Sequence, residues 1–381
     1  MSPEVIRFAA DVIRNTAKER PADAVLREAL KSNTTLTTVQ RREVARAVFT
    51  YYRWRGWHDR KREVEARIDW SLELADRFRK NPFTLTAESL RAKAVPEWLV
   101  NEMDCPEAWL RSLQWEPRLW LRARPGKARE LANKLEQCKV PKGLLMRDTV
   151  EFLGVRDLFE TEPFKSGQFE LQDIGSQAVG ALCAPQPGET WWDTCAGEGG
   201  KTLHLADLMQ GRGQVFASDK AEWRLAKLKV RAARAQVQNY QSALWEGGVT
   251  LPFAGSKFDG ILVDAPCSGV GTWQRNPHAR WTTSVRDVRE LAELQFQILS
   301  HAAQAAKPGG RLVYAVCTLT RAETVDVVNR FNAAHPEFGS MELPHLREEA
   351  TKLGVKRMSS MTIWPQDLGG NGMFVAAWRR A

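Results

Sequence analysis

The sequence predicts an α/β protein in which a doubly wound parallel sheet follows a small α+β domain and an N-terminal helical domain. Three observations predict it. Residues 1–112 carry apolar positions at helical spacing, residues 113–175 mix short strands with a helix, and residues 176–381 alternate strand and helix. A chain of 381 residues is long enough for two or three hydrophobic cores. We therefore expect domain boundaries near residues 112 and 175.

The first 112 residues predict helices. The segments ADAVLREALKSN and TVQRREVARAVFTYYRW have apolar residues at helical spacing, and the second follows threonines that suit a helix start. The segment AVPEWLVNEM begins behind a proline, which favours the first turn of a helix. No strand pattern interrupts these segments.

Basic residues cluster between Arg41 and Arg67 of this helical part. Four aromatic residues are interleaved with them: Tyr51, Tyr52, Trp54 and Trp57. Guanidinium groups beside flat rings suit phosphate contacts and base stacking in RNA. The alternative is a helix whose rings face the core, and the helical spacing of Ala45, Val48 and Tyr52 favours it slightly. The net charge of +9 agrees with an anionic partner without identifying one.

The composition argues against a membrane protein, a secreted protein and a metal site. No apolar run approaches a membrane span, and the opening segment lacks the apolar centre of a secretion signal. Six cysteines are spread along the chain without a C-x-x-C pair or histidines at zinc spacing. We therefore expect a cytoplasmic chain without membrane segments, bound metal or disulfides.

Residues 113–175 predict a small α+β domain, which we compare with an RRM. The segment RLWLRAR alternates as a strand does, GKARELANKLEQC has helical spacing, and TVEFLG is typical of another strand. From residue 176 the pattern changes to alternating strands and helices. The predicted strands lie in ETWWDTCAGEGG, GQVFASDK, FDGILVDAPCSG, GRLVYAVCTL and, as an edge strand, GMFVAAWRR. Ligands of such sheets bind beyond the carboxyl ends of the strands, where we expect the functional residues.

The first of these strands is followed by a glycine-rich turn. Gly197, Gly199 and Gly200 come after Asp193 and let the backbone approach a ligand closely. A phosphate-binding loop would need a further glycine at Cys195, so the turn does not predict a nucleotide phosphate site.

Two acids extend this prediction to a cofactor. Asp219 lies 219 − 193 = 26 residues after Asp193, where an acid hydrogen-bonds the ribose hydroxyls of an adenosine. Glu246 follows the third strand and is a candidate for the adenine amine. An adenosine ligand without a phosphate loop indicates S-adenosylmethionine. The alternatives are that Asp219 caps a helix and that Glu246 has no ligand role.

Cys267 and Cys317 each follow a predicted strand at the same end of the sheet, and Asp264 ends the strand before Cys267. This combination suits methyl transfer to carbon 5 of cytosine. A thiolate that adds to ring carbon C6 makes C5 nucleophilic, and a carboxyl group at N3 supports that addition. A second thiol can assist proton removal from C5, after which the first thiolate leaves. We therefore expect all three residues to be catalytic.

The segments DTCAGEGGKT, DAPCSGVGTWQRNPHARW and YAVCTLTRAET resemble, in this order, the signature motifs of the Nop/Sun family of RNA (cytosine-5) methyltransferases. The resemblance covers roughly residues 112–381. It implies a Rossmann-like S-adenosylmethionine-dependent methyltransferase domain, with Cys317 as the nucleophile and Cys267 assisting breakdown of the covalent adduct. It also implies these cofactor-binding residues: Cys195, Ala196, Gly197, Glu198, Gly199, Gly200, Lys201, Asp219, Arg224, Glu246 and Asp264.

The chain departs from the family pattern at four places. Gly197-Glu198 stands where the family usually has Ala-Pro, and His278 stands where an acid commonly follows RNP. Glu323 is followed by Thr-Val in place of Asn-Glu, and Asn371 stands in GGNGMF where GxDGFF is usual. None of these positions is a predicted catalytic residue, so they affect contacts with the substrate.

The N-terminal helices are similar, by arrangement, to the RNA-binding domain of the bacterial small-subunit ribosomal RNA methylase of this family. The resemblance implies formation of 5-methylcytosine in ribosomal RNA, and we expect a monomer. The alternatives are tRNA as the substrate and a non-catalytic RNA-binding factor of ribosome assembly. A DNA cytosine methylase would order its elements differently, and an amino-group methylase would carry Asp-Pro-Pro-Tyr or a relative instead of DAPC.

Overall fold

The computed structural model describes all 381 residues, which fold into two compact units. The helical unit comprises Met1–Pro117 and Gly269–Val288, and the sheet unit comprises Arg118–Ser268 and Arg289–Ala381. The helical unit thus includes Gly269–Val288, a segment that the sequence pattern assigns to the domain of alternating strands and helices at residues 176–381. A further division of the sheet unit near residue 175 stays a prediction. No helix combines the length and the apolar character that crossing a bilayer requires.

The N-terminal part of the helical unit forms six helices: α1 (Pro3–Arg14), α2 (Ala22–Ser32), α3 (Thr38–Arg53), α4 (Val64–Lys80), α5 (Ala87–Lys93) and α6 (Glu107–Ser112). Short 3-10 helices lie at Arg55–Trp57, Pro82–Thr84 and Glu97–Asn101. Ser2 and Thr37 accept the backbone N–H groups of Val5 and Gln40, and so begin α1 and α3. Val5 and Val44 belong to one buried core. The predicted helical fold of residues 1–112 is confirmed.

Three of the four aromatic residues of the basic segment are buried in the helical unit. Tyr51, Tyr52 and Trp54 expose at most 5% of their surface, because helical spacing places them on an inward face. Of the two interpretations of these three rings, the one with the rings in the core, which helical spacing favoured slightly, is correct, and base stacking by them is excluded. Arg41 is also engaged internally, since its guanidinium donates to the carbonyl oxygen of Leu30 at 2.6 Å in the last turn of α2.

The sheet unit begins with a four-stranded antiparallel sheet. Its strands are β1 (Leu119–Ala123), β2 (Cys138–Lys139), β3 (Thr149–Phe152) and β4 (Phe169–Leu171), in the order β2-β3-β1-β4. The accompanying helices are α7 (Ala128–Leu135), α8 (Glu162–Lys165) and a 3-10 helix at Leu158–Glu160. Leu121, Leu131, Val150 and Phe169 form a core of their own. The predicted α+β pattern is confirmed.

The larger sheet has eight strands: β5 (Thr190–Asp193), β6 (Gln214–Asp219), β7 (Tyr240–Leu244), β8 (Phe258–Asp264), β9 (Ala306–Val316), β10 (Phe338–Ser340), β11 (Ser360–Ile363) and β12 (Met373–Arg380). The remaining helices are α9 (Ile174–Leu182), α10 (Gly200–Leu208), α11 (Glu222–Arg234), α12 (Ala279–Thr282), α13 (Val285–Ala303), α14 (Val325–Ala334), α15 (Glu348–Lys352) and α16 (Pro365–Leu368). Of these, α12 belongs to the helical unit together with a 3-10 helix at Val270–Thr272.

The larger sheet has the order β10-β12-β9-β8-β5-β6-β7, with β11 paired to β12. Strands β5 to β9 run parallel and the chain order reverses at β5, whereas β12 joins β9 antiparallel. Trp191 and Trp192 of β5 belong to the cores on opposite faces. A Cβ atom on Gly260 of β8 would come within 2.2 Å of the Trp191 indole, so this pairing requires glycine. The predicted doubly wound sheet is confirmed.

Candidate active site

The carboxyl edge of the parallel strands collects three acids and a thiol. Asp193, Asp219 and Asp264 are the last residues of β5, β6 and β8, and Cys317 follows the last residue of β9. Adjacent parallel strands end at the same edge, so the fold brings these side chains to one place. The edge is also the point where the chain order reverses, which is where such sheets bind ligands.

The two predicted catalytic thiols lie in contact. The sulfur atoms of Cys267 and Cys317 are 3.3 Å apart, and both residues are half-buried. The loop after β8 stays beside β9 because the backbone N–H of Ala265 donates to the carbonyl oxygen of Ala315 at 3.0 Å. The structure therefore brings together the residues that the sequence predicts for attack and for release.

Asp264 lies in the same region and is paired with Lys201. The Lys201 ammonium donates to Oδ2 of Asp264 at 2.7 Å, and both side chains are largely shielded from water. Burial by itself lowers the pKa of Lys201, but the carboxylates of Asp264 and Asp193 outweigh it and the net shift is upward. Lys201 therefore keeps its proton at neutral pH and supplies a positive charge next to Asp264.

The glycine-rich turn between β5 and α10 has the backbone conformation that glycine permits. Gly197 and Gly199 have φ values of 55° and 85°. A Cβ atom on Gly199 would also come within 2.1 Å of the Leu228 side chain, so this position excludes any other residue. Asp219 holds the turn, since its Oδ2 accepts the backbone N–H of Gly197 at 2.9 Å and its Oδ1 that of Ala221 at 2.9 Å.

A cavity of about 540 Å³ opens at this edge of the sheet. Seven residues predicted for the cofactor line it: Cys195, Ala196, Gly197, Asp219, Arg224, Glu246 and Asp264. The other walls come from Thr194, Lys220, Trp245, Gly247, Pro266, Leu294 and Ile298. Its volume falls in the range of small-molecule sites, and it combines apolar walls with few acids.

Four residues predicted for the cofactor do not line this cavity. Glu198 turns to Lys227, with which it forms an ion pair of 2.6 Å, and Lys201 is engaged with Asp264. Gly199 and Gly200 form the start of α10. Their position in the turn still controls where the backbone of the lining residues runs.

Asp193 is buried and Cys195 is half-buried in this site. Oδ2 of Asp193 accepts the Thr202 hydroxyl at 2.7 Å, while Oδ1 is buried without a hydrogen-bond partner in the protein. Burial raises the pKa of Asp193 to about 7 and that of the Cys195 thiol to about 12. Cys195 therefore remains a neutral thiol, unsuited to nucleophilic attack at neutral pH.

The sequence motifs did not identify one buried acid of this site, Glu323; only the residues that follow it were noted, as a departure from the family pattern. The side chain is fully buried and accepts hydrogen bonds from residues adjacent to both predicted catalytic cysteines. The signal was present in CTLTRAE, where Thr318, Thr320 and the acid follow Cys317 closely. No group of histidine, cysteine and acidic side chains in the protein is arranged to hold a metal ion.

The sheet, its glycine-rich turn and the cavity at its carboxyl edge define a Rossmann-like methyltransferase domain. A family model described as 16S rRNA methyltransferase RsmB/F matches residues 180–379. The chain therefore belongs to the RsmB/F family, and the resemblance to the Nop/Sun family is confirmed.

Two curated relatives show how far the similarity reaches. The "Probable ribosomal RNA small subunit methyltransferase B" of Synechocystis is 37% identical over 223 residues, which are 57% of this chain and 49% of the relative. The "tRNA (cytosine(72)-C(5))-methyltransferase NSUN6" of Mus musculus is 38% identical over 170 residues, which are 42% of this chain and 35% of the relative. The chain thus spans about half the length of the first relative.

Among solved structures, the one titled "Crystal Structure of PH0851" matches with a TM-score of 0.79 and 23% sequence identity. The match covers 100% of this chain and 99% of that chain. At this identity the match shows a common fold.

Proposed function

We propose that the protein is an S-adenosylmethionine-dependent RNA methyltransferase that forms 5-methylcytosine, with ribosomal RNA as the first candidate substrate. One observation carries the proposal: the sulfur atoms of Cys267 and Cys317 lie 3.3 Å apart at the ends of neighbouring parallel strands. Asp264 and the cavity lie at the same edge. An enzyme that methylates a nucleophilic nitrogen or oxygen has no need of two adjacent thiols, whereas C5 of cytosine must first be activated.

The cavity fits S-adenosylmethionine. The buried Asp219 carboxylate holds the turn with one lone pair of each oxygen and has capacity left for the ribose hydroxyls. Glu246 is exposed at the rim, where it can accept the adenine amine, and the backbone of Cys195 to Gly197 lines the floor. When bound, S-adenosylmethionine supplies a methyl group that carries the positive character of its sulfonium.

Cys317 is the proposed nucleophile. Its thiolate adds to C6 of the cytosine, a C–S bond forms, and the electrons of the C5=C6 bond shift toward C5 and N3. The negative charge that develops at N3 is neutralised by a proton that Asp264 passes on. A proton can reach N3 from the Lys201 ammonium through the Asp264 carboxyl, since the two groups share a hydrogen bond of 2.7 Å.

Cys267 is the proposed base for the second half of the reaction. After C5 has accepted the methyl group, its proton must be removed before aromaticity returns. The Cys267 thiolate takes this proton, the electron pair of the C–H bond re-forms the C5=C6 bond, and the Cys317 sulfur leaves as a thiolate. The contact between the two sulfurs supports a reaction in which both events occur at the same ring.

The helical unit is proposed to hold RNA. Arg60, Lys61 and Arg62 are exposed in its basic segment. Beside them, Trp57 and Trp70 line a small cavity of about 220 Å³ together with Asp59, Arg62 and Arg67. Half-buried rings next to guanidinium groups suit RNA better than the fully buried Tyr51, Tyr52 and Trp54. We further propose that the protein acts in the cytoplasm and as a monomer.

Two RNA classes are candidate substrates, and one experiment distinguishes them. The names of the two relatives refer to small-subunit ribosomal RNA in one case and to tRNA in the other. The protein is incubated with methyl-labelled S-adenosylmethionine and either unmodified small-subunit ribosomal RNA or unmodified tRNA. The RNA is then digested to nucleosides, and 5-methylcytosine is measured. We expect product in one of them and, for Cys317→Ala, none. Cys105→Ala, a half-buried thiol of the helical unit, is the matched control.

The same experiment can refute the proposal. If the wild-type protein binds both RNAs and methylates neither, it is a non-catalytic RNA-binding factor. If Cys317→Ala retains activity, the nucleophile has been assigned to the wrong residue.

A further inference from the structure

We infer that Glu323 is a positioning residue, which fixes the loops of Cys267 and Cys317 so that the two thiols stay in contact. The inference rests on the proposed function, because it assigns a role within the same site. Glu323 acts through the residues next to the cysteines and not through the thiols themselves. It therefore differs in kind from the catalytic residues.

Five donors converge on the Glu323 carboxylate. Oε1 accepts the backbone N–H of Ser268 at 2.8 Å and Nε2 of Gln295 at 2.9 Å. Oε2 accepts the hydroxyls of Ser268, Thr318 and Thr320, the last two at 3.0 and 2.8 Å. Ser268 directly follows Cys267, and Thr318 directly follows Cys317. One carboxylate therefore binds the chain next to both thiols.

A second hydrogen bond fixes the chain on the other side of Cys267. Gln295 of α13 donates from Nε2 to the carbonyl oxygen of Pro266 at 2.9 Å, in addition to its bond with Glu323. The Tyr314 hydroxyl contacts both the amide oxygen of Gln295 at 2.9 Å and the carbonyl oxygen of Glu323 at 2.7 Å. Cys267 thus lies between two anchored neighbours, the carbonyl of Pro266 and the N–H of the next residue.

The backbone N–H of Ser268 and Nε2 of Gln295 require an acceptor at the position of Oε1. An ionised carboxylate accepts at both oxygens, whereas the glutamine amide would present two N–H donors on one side. The hydroxyl groups near Oε2 can rotate to accept, but the backbone N–H of Ser268 cannot. Glu323 is fully buried, so hydrogen bonds to its charge are strong and a lost partner is not replaced by water. Glu323→Gln should therefore keep the shape of the site and loosen its loops.

The separation of the thiols can be measured without RNA or methyl donor. The protein is equilibrated with mixtures of oxidised and reduced glutathione, in which two protein thiols become a disulfide and one oxidised glutathione becomes two reduced molecules. The fraction of the Cys267–Cys317 disulfide, read by mass spectrometry after alkylation, gives the effective concentration of one thiol at the other. We expect Glu323→Gln to lower this concentration about tenfold, which corresponds to one weakened charge-assisted bond.

Two further variants and one binding measurement separate positioning from general damage. Glu342→Gln removes an exposed carboxylate from the same unit and should leave the thiol equilibrium unchanged. Thr318→Val removes one donor to Glu323 and keeps the shape of the side chain. It should lower the effective thiol concentration by less than Glu323→Gln does, and it replaces that variant in the test if Glu323→Gln does not fold. Affinity for S-adenosylhomocysteine should stay the same in Glu323→Gln, because Glu323 does not line the cavity. Trapping of 5-fluorocytosine RNA should become slower.

The outcomes are distinct. Thiols that pair equally well in Glu323→Gln and wild type, or that never pair in the wild type, would overturn the inference. The inference would also be overturned if Glu323→Gln lowered the affinity for S-adenosylhomocysteine by as much as it lowered the effective thiol concentration. The substitution would then have disturbed the whole site. If the thiol equilibrium shifts as expected and the wild type makes no 5-methylcytosine, the positioning role stands and the proposed function fails.

Discussion

Each unit of the protein buries a charged side chain that binds many partners, but the two charges and their partners differ. Glu323 of the sheet unit accepts from hydroxyls, an amide and one backbone N–H. Arg280 of the helical unit is also fully buried, and its guanidinium donates to backbone carbonyls at 3.0 to 3.4 Å. These carbonyls belong to Arg53, Ala94, Leu113 and Trp273.

The difference in partners indicates different roles for Arg280 and Glu323. Carbonyl groups cannot rotate away from the backbone, so Arg280 fixes the path of the chain and holds residues 269–288 within the helical unit. Burial and then the nearby Arg53 lower the pKa of Arg280 to about 9, which leaves it protonated at neutral pH. Glu323 binds mainly short side chains around two thiols. We therefore expect loss of Arg280 to reduce stability and changes around Glu323 to alter chemistry.

The largest effect is expected in the sheet unit. Cys267→Ala removes the proposed base, so the adduct between Cys317 and C6 should form and persist while turnover is lost. The covalent adduct is measured as a slowly migrating protein–RNA band on denaturing gels. The band should be absent from the double variant that combines Cys267→Ala with Cys317→Ala. A Cys267→Ala protein without any adduct would mean that the roles of the two thiols are reversed.

Arg280→Met tests the helical unit. The variant leaves four buried carbonyl groups with no donor, and we expect a loss of about 2–4 kcal/mol in the free energy of unfolding. Urea unfolding together with hydrogen exchange of peptides from residues 1–117 measures the loss. Arg275→Met, an exposed arginine of the same segment, is the control and should change little. Equal stability of the two variants would show that the buried cation holds nothing in place.

The sequence was sufficient where local pattern and sheet topology decide the structure. Cys267, Cys317 and Asp264 are found together because parallel strands end at one edge, which strand patterns reveal. The helical spacing around Tyr52 correctly favoured the core over the surface. Sequence was insufficient where distant segments meet. The role of Glu323 depends on Gln295 from another helix, which no motif records.

The same limit applies to the segment after Cys267. Its position in the helical unit depends on Arg280 meeting carbonyls that are up to 280 − 53 = 227 residues away in the chain. Strand and helix patterns around residues 269–288 carry no information about such partners. Polar networks between distant segments therefore become visible only in the folded protein.

The smallest effect is expected from exposed charges of the helical unit. Replacing Arg60, Lys61 and Arg62 together by glutamine should weaken RNA binding several-fold, because each phosphate that a basic side chain neutralises releases counterions. The slope of log affinity against log salt should fall by roughly 0.7–0.9 for every phosphate that the variant no longer neutralises. Affinity for S-adenosylmethionine should not change, since its proposed site lies in the sheet unit.

A control with the same net charge decides whether this effect is local. Arg7, Arg27 and Lys31 are exposed elsewhere in the helical unit, and their triple replacement by glutamine removes as much charge. If the basic segment holds RNA, only the first triple variant should reduce the salt slope. Two variants that weaken binding equally would mean that RNA responds to the overall charge of +9. The charged side chains around Trp57 would then be an ordinary solvated surface without a specific role in RNA binding.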